Sequence, residues 1–94
     1  MFEIRLEPNG EIRLQGRFDS TQVEKAFEIF NQISETTTID FSDLDYISSA
    51  GLSVLLKTQK RLKSEGHELI LKNLNRHIRE IFKYAGFDLI FKIE

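Results

Sequence analysis

Apolar residues alternate with polar ones at the start of the chain, then recur at helical spacing, and the switch between the two periods divides the sequence into elements. Phe2, Ile4 and Leu6 precede Pro8-Asn9-Gly10, and Ile12 and Leu14 follow it, which predicts a β-hairpin. Gly16 is expected to end its second strand. Asp19, Ser20 and Thr21 offer helix N-caps, with Thr21 and Glu24 spaced as a capping box. Val23, Ala26, Phe27, Phe30 and Ile33 then recur at three and four, as one apolar helix face requires.

Thr36 to Phe41 is rich in β-branched residues and predicts an interior strand, which leads into an expected acidic loop, Ser42-Asp43-Leu44-Asp45. A second helix is expected from Ser49 or Ala50 to Ser64, with Leu52, Leu55, Leu56 and Leu62 inward. Lys57, Lys60, Arg61 and Lys63 read as its solvated face, and Gly66 as its stop. Glu68 to Lys72 predicts a strand. Asn75 is a natural cap for a third helix carrying the stripe Ile78, Ile81, Phe82 and Ala85, which Gly86 ends before a last strand over Leu89 to Ile93. Helices alternating with strands after a hairpin imply crossover connections. The expected class is therefore α/β: a single domain over residues 1–94 with a mostly parallel mixed sheet and helices packed against it.

The 94 residues suffice for one core, and 40% of them are hydrophobic, eight being Phe. Cysteine is absent, which removes disulfides and thiolate chemistry and fits a reducing compartment; a cytoplasmic location is the expectation. No signal-peptide pattern or apolar run long enough to span a bilayer is present. Thirteen basic and fifteen acidic residues give a net charge of -2, so no broad positive field attracts nucleic acid. The expected partners are proteins.

The junction between the third strand and the second helix, Asp40 through Leu52, is where open α/β sheets present functional groups. Ser48 and Ser49 lie at or beside the N-cap, and a helix N-terminus favours an attached phosphate. Gly51, lacking Cβ, permits close approach of a backbone or a partner side chain. Asp19 is expected to cap at the same end of the sheet, and Asp40, Asp43 and Asp45 to shape an acidic contact surface. Their spacing is also permissive for magnesium, although it is not diagnostic of it. His67 and His77 lack the neighbours a metal site needs, and Ser49 lacks a Gly-x-Ser-x-Gly context for nucleophilic catalysis. No cofactor is expected, and no enzymatic activity.

The segment Asp40-Phe41-Ser42-Asp43-Leu44-Asp45-Tyr46-Ile47-Ser48-Ser49-Ala50-Gly51-Leu52-Ser53-Val54-Leu55-Leu56 resembles the signature of STAS domains, the family of bacterial anti-sigma factor antagonists. Leu14-Gln15-Gly16-Arg17-Phe18-Asp19 resembles the family's Leu-x-Gly-x-Leu-Asp, and Ile81 to Phe87 its closing Leu-Phe-x-x-x-Gly-Leu. On this resemblance Ser49 takes the place of the phosphorylated serine. Ser48 stands where the family has Asp, and Ala50 where it has Ser or Thr. The resemblance implies a partner switch in transcription regulation: the unphosphorylated domain binds an anti-sigma factor Ser kinase and frees a sigma factor, phosphorylation ends the binding, and a PP2C-type phosphatase restores it. The partner-binding residues implied are Asp19, Asp40, Asp43, Asp45, Ser48, Ser49, Ala50, Gly51 and Leu52. An alternative is a STAS-like subunit of a lipid-transport or other membrane-associated complex, docking partners without phosphorylation.

Overall fold

A computed structural model describes residues 1–94. The hairpin forms as β1 (Phe2–Leu6) and β2 (Ile12–Phe18), antiparallel with Ile4 opposite Leu14. After a 3-10 turn at Ser20–Gln22 come α1 (Val23–Phe30), β3 (Thr37–Ile47), α2 (Ser49–Ser64), β4 (Leu69–Lys72), α3 (Arg76–Tyr84), a 3-10 turn at Phe87–Leu89 and β5 (Lys92–Ile93). The sheet order is β1-β2-β3-β4-β5, and every pair after the hairpin is parallel. The parallel strands step one way across the sheet, so right-handed crossovers place all three helices on one face and leave the other face open.

That topology explains the alternation in the strands. Ile4, Ile12, Leu14, Phe18, Ile39, Phe41, Leu69 and Leu71 are buried beneath the helices, in one core of 22 residues. Glu3, Arg5, Gln15 and Arg17 point to the open face. The helices contribute Ala26, Phe30, Leu55, Leu62, Ile78 and Phe82 to the same core. Phe82 meets Phe41, Phe87 and Phe91 edge-on at centroid distances of 5.9, 6.1 and 5.9 Å, closing the core beneath β5.

Several expectations need correction. Gly16 does not end β2; it sits within the strand at φ +87, beside a register shift. The expected acidic loop Ser42–Asp45 is strand, because β3 runs unbroken to Ile47. Two register shifts against β2 each insert an extra residue on the β3 side, so the inward residues Phe41, Leu44 and Ile47 come three apart. The Thr21–Glu24 capping box does not form. Asp19 caps the preceding 3-10 turn instead, accepting the Thr21 N–H at 3.0 Å. Ala85 is exposed rather than part of the α3 stripe, and β5 keeps two residues because Phe87–Leu89 coils into a turn.

Other ends form as the residues predict. Asn75 caps α3 by accepting the Ile78 N–H at 2.9 Å. At the end of α2, Gly66 takes φ +82, its N–H donates to the Lys63 carbonyl, and His67 N–H reaches back to Leu62.

Two polar residues of α2 do work that a helical pattern does not reveal. Gln59, 1% exposed, donates from Nε2 to the Ile90 carbonyl at 2.9 Å and accepts the Leu69 N–H at Oε1 at 2.7 Å. It joins α2 to β4 and to the approach to β5. Arg61, expected in solvent, instead donates both terminal nitrogens to the carbonyls of Phe30 and Ile33 at 2.9 Å, satisfying the C-terminal end of α1. Replacing Gln59 by Leu keeps the volume but leaves a buried N–H and a carbonyl unpaired. The expected loss is about 2–4 kcal/mol in urea unfolding, with the α/β circular dichroism spectrum retained below the transition.

Candidate functional site

The site is built where β2 and β3 end and α2 begins. Ser48 N–H donates to the Phe18 carbonyl at 2.9 Å, tying the two strand ends together as the chain turns into the helix. Ser48 is the N-cap, extended at φ -87 and ψ 171, and its Oγ accepts the Gly51 N–H at 3.2 Å. Its carbonyl takes the Leu52 N–H at 2.9 Å. Ser49 is the first helical residue. Its side chain is exposed, and its hydroxyl has no hydrogen-bond partner within the chain. The two serines, indistinguishable as caps in the sequence, are therefore separated by geometry: Ser48 is half-buried and engaged, Ser49 is free.

Gly51 is held against the chain itself. An added Cβ would lie 2.9 Å from Ile47 Cγ1, 3.0 Å from the Phe18 carbonyl oxygen and 3.1 Å from Phe18 Cγ. The close approach anticipated at Gly51 is thus made by the end of β2, and the residue is not presented to a partner. Leu52 also turns inward, at 8% exposure, while Ala50 is half-exposed beside Ser49. Phe18 itself is fully buried and stacks on Phe2 at 4.7 Å. Asp19, the next residue, stays at this end of the sheet. Its carboxylate is held below its ordinary pKa by the Thr21 hydroxyl and the Thr21 backbone N–H.

The acidic residues do not gather around Ser49. They descend β3, so that Asp40 lies eight residues before Ser48, roughly 20–25 Å along the strand. Asp40 is also buried, at 6% exposure, and belongs to the frame rather than to the expected contact surface. It accepts the Ser42 N–H at 2.9 Å and the Asn73 side-chain amide at 3.0 Å, and Arg13 approaches at 3.4 Å. Asn73 reaches it from a left-handed conformation, φ 62, that Asn tolerates. Arg13 also pairs with Asp43 at 2.8 Å and Glu7 at 3.0 Å. Asp43 and Asp45 are exposed, and Asp45 is the acidic residue of β3 nearest to the helix start. Arg13, Asn73, Gln59 and Arg61 carry no signal in sequence spacing, because each acts on a residue distant along the chain.

Electrostatically, the start of α2 is open to negative charge. Its first turn contains no acidic residue, its last turn holds Arg61 and Lys63, and the Ser49 and Ala50 N–H groups have no acceptor within the chain. An exposed hydroxyl beside unpaired donors at a helix N-terminus suits a phosphate monoester.

The family model of the STAS domain matches residues 4–94. The chain belongs to the STAS family. It is 39% identical over 84 residues to a protein of Bordetella bronchiseptica named "Putative anti-sigma factor antagonist BtrV", a match covering 85% of this chain and 72% of BtrV. Among solved structures it is similar to the anti-sigma factor antagonist SpoIIAA in its unphosphorylated form, with TM-score 0.67 and 17% identity over 100% of this chain and 87% of that one. It is also similar to the phosphorylated form of the Bacillus protein, with TM-score 0.70 and 18% identity over 100% and 91%. At these identities the structural likeness concerns the fold, and both forms share it with this STAS domain. No helix is long and apolar enough to cross a membrane.

Two measurements test the frame of the site. Gly51→Ala gains helix propensity but forces Cβ against the Phe18 carbonyl and Ile47, and a net loss of about 1–2 kcal/mol is expected in chemical denaturation. The second concerns Asp40. Burial raises its pKa, but the bonds from Asn73 and the Ser42 N–H, with the charge of Arg13, outweigh burial and leave it below the ordinary 3.8. The stability contributed by its charged form is therefore complete above that value and lost as pH falls through the folded-state pKa. The denaturation midpoint should drop between about pH 5 and pH 2, and drop less steeply in Asp40→Asn.

Proposed function

We propose that this STAS domain is an anti-sigma factor antagonist whose binding to an anti-sigma factor is switched by phosphorylation of Ser49. The observation that carries the proposal is the free, exposed Ser49 hydroxyl at the first position of α2, beside a cap supplied by Ser48. Membership of the family and the 39% identity to BtrV supply the class of partner. The kinase is then the anti-sigma factor itself, a PP2C-type phosphatase reverses it, and both act in the cytoplasm. The domain works as a binding module without enzymatic activity of its own, and reaches transcription through proteins rather than through nucleic acid.

The contact surface is centred on Ser49 and Ala50, with Asp19 at its edge. Gly51 and Leu52 shape it from below, and Asp45 approaches along β3. The change at Ala50 leaves the phosphate-accepting position in place and removes a hydroxyl next to it, so the free hydroxyl offered to the kinase at the helix start is that of Ser49. A phosphate adds about -1.5 to -2 charges there. A partner surface fitted to a neutral hydroxyl must then desolvate a dianion, which weakens the complex.

Incubation with the cognate kinase and ATP, followed by peptide mass spectrometry, should place the phosphate on Ser49, with none on Ser48 in the wild type or in Ser49→Ala. In binding titrations Ser49→Ala should match the unphosphorylated wild type, whereas Ser49→Asp should bind at least about tenfold more weakly, equivalent to about 1.4 kcal/mol. Equal binding by both variants, or phosphate placed elsewhere, sinks the switch.

A further inference from the structure

The two edges of the sheet are not alike. β5 offers two residues, too short to recruit a neighbour, whereas β1 presents five residues along an uncovered edge. In the hairpin, Arg17 N–H donates to Met1 and Glu7 N–H to Glu11, which fixes the odd-numbered positions of β1 as those bonded to β2. The N–H and C=O groups of Phe2, Ile4 and Leu6 therefore face outward. One of them is occupied: Lys25 Nζ donates to the Phe2 carbonyl at 3.0 Å. A carbonyl keeps a second lone pair for another donor.

Charges on an edge strand ordinarily repel a second strand. Here they are self-complementary. Glu3 and Arg5 flank Ile4 on the open face, and neither forms an ion pair within the chain. Arg5 faces Arg13 across the hairpin, and Arg13 already engages Glu7, Asp40 and Asp43; Glu3 faces the neutral Gln15. An antiparallel pairing of β1 with itself about Ile4 places Glu3 of each copy opposite Arg5 of the other, at the closely spaced non-hydrogen-bonded positions. Parallel in-register stacking would instead set Glu3 on Glu3 and Arg5 on Arg5. Leu6, 60% exposed, falls beside Phe2 of the second copy.

We propose that β1 is a self-association edge, through which two copies join antiparallel about Ile4 into one continuous sheet. Ile4 exchanges both backbone hydrogen bonds with Ile4 of the second copy, and Phe2 does so with Leu6. Because the two copies of β1 run antiparallel to one another, the two-fold axis is perpendicular to the joined sheet and sends the two Ser49 sites to its opposite ends, covering neither. The contact is narrower than a standard stable interface, so the dimer is weak, with a dissociation constant on the order of 0.1–1 mM.

Sedimentation equilibrium up to millimolar concentration measures the constant. Glu3→Arg and Arg5→Glu each set like charges opposite one another and should weaken association about tenfold, while the double variant restores the pairing and should return to within about twofold of the wild type. Both side chains are exposed; Glu3 faces the neutral Gln15, so the Glu3→Arg melt should be unchanged, and Arg5→Glu, opposite Arg13, should melt no lower than the wild type. Wild type monomeric throughout, single variants that dimerise as the wild type does, or a double variant as weak as the singles would each overturn the proposal.

Discussion

The joint between Phe18 and the start of α2 is the contact on which the functional end of the molecule depends. Phe18 closes β2, fills the core with its ring, and offers its carbonyl to Ser48 N–H at 2.9 Å. Gly51 rests against the same residue with no room for a Cβ. Each element of this joint constrains the others: a side chain at position 51 would lift the helix, and a lifted helix would take Ser48 off Phe18. The consequence is a first turn of α2 held rigidly to the sheet, with Ser49 placed on its solvent side by the geometry of a cap that Ser48 already supplies. The same serine pair would be ambiguous on a freely hinged helix.

How much of this could be read from the residues follows the range of the interactions involved. The helices and strands whose character is local were legible: the 2-residue and 3.6-residue periods gave the hairpin and α1, Asn75 announced α3, and Gly66 stopped α2 with its positive φ. β3 reads shorter than it is because its inward residues Phe41, Leu44 and Ile47 follow a spacing of three, which belongs to no regular strand. Only its register with β2, with an extra residue inserted at two places, makes the spacing intelligible. The junction around Ser48 and Ser49 was legible as a helix start, but which serine is free depends on where Gly51 N–H points. Arg61 reads as solvent-facing, and Gln59 carries no signal, for a related reason. A polar residue on a helix is assigned to water unless something far along the chain has backbone groups to satisfy, and here those groups are at Leu69, Ile90, Phe30 and Ile33.

The one-sided sheet also settles where charge can be kept. Its open face lacks a helical layer, so polar side chains there compensate one another directly. Arg13 gathers Glu7, Asp40 and Asp43, and Lys72 pairs with Glu11 at 2.9 Å, while the Arg17 guanidinium lies 4.3 Å from the centre of the Tyr46 ring. Most of these pairs are partly exposed, and such pairs each contribute modestly. Asp40 differs, since its burial makes its partners obligatory. The acidic character that the sequence suggested for the β3–α2 junction is thereby largely consumed within the sheet, and little of it reaches the start of α2.

That distribution bears on how a phosphate would act. The first turn of α2 has free N–H groups at Ser49 and Ala50 and no acidic side chain, so a phosphate on Ser49 would meet a locally favourable field. The Ser48 cap and the Gly51 packing involve no atom of the Ser49 side chain. Adding the group therefore requires neither the cap to break nor the helix to move. Under the proposed switch, the free energy that separates bound from released states arises at the partner's surface, where a dianion must be desolvated, and not from strain stored in the domain. A rigid joint and an exposed hydroxyl serve such a mechanism better than a mobile segment would, because the phosphate is then held where the partner must meet it.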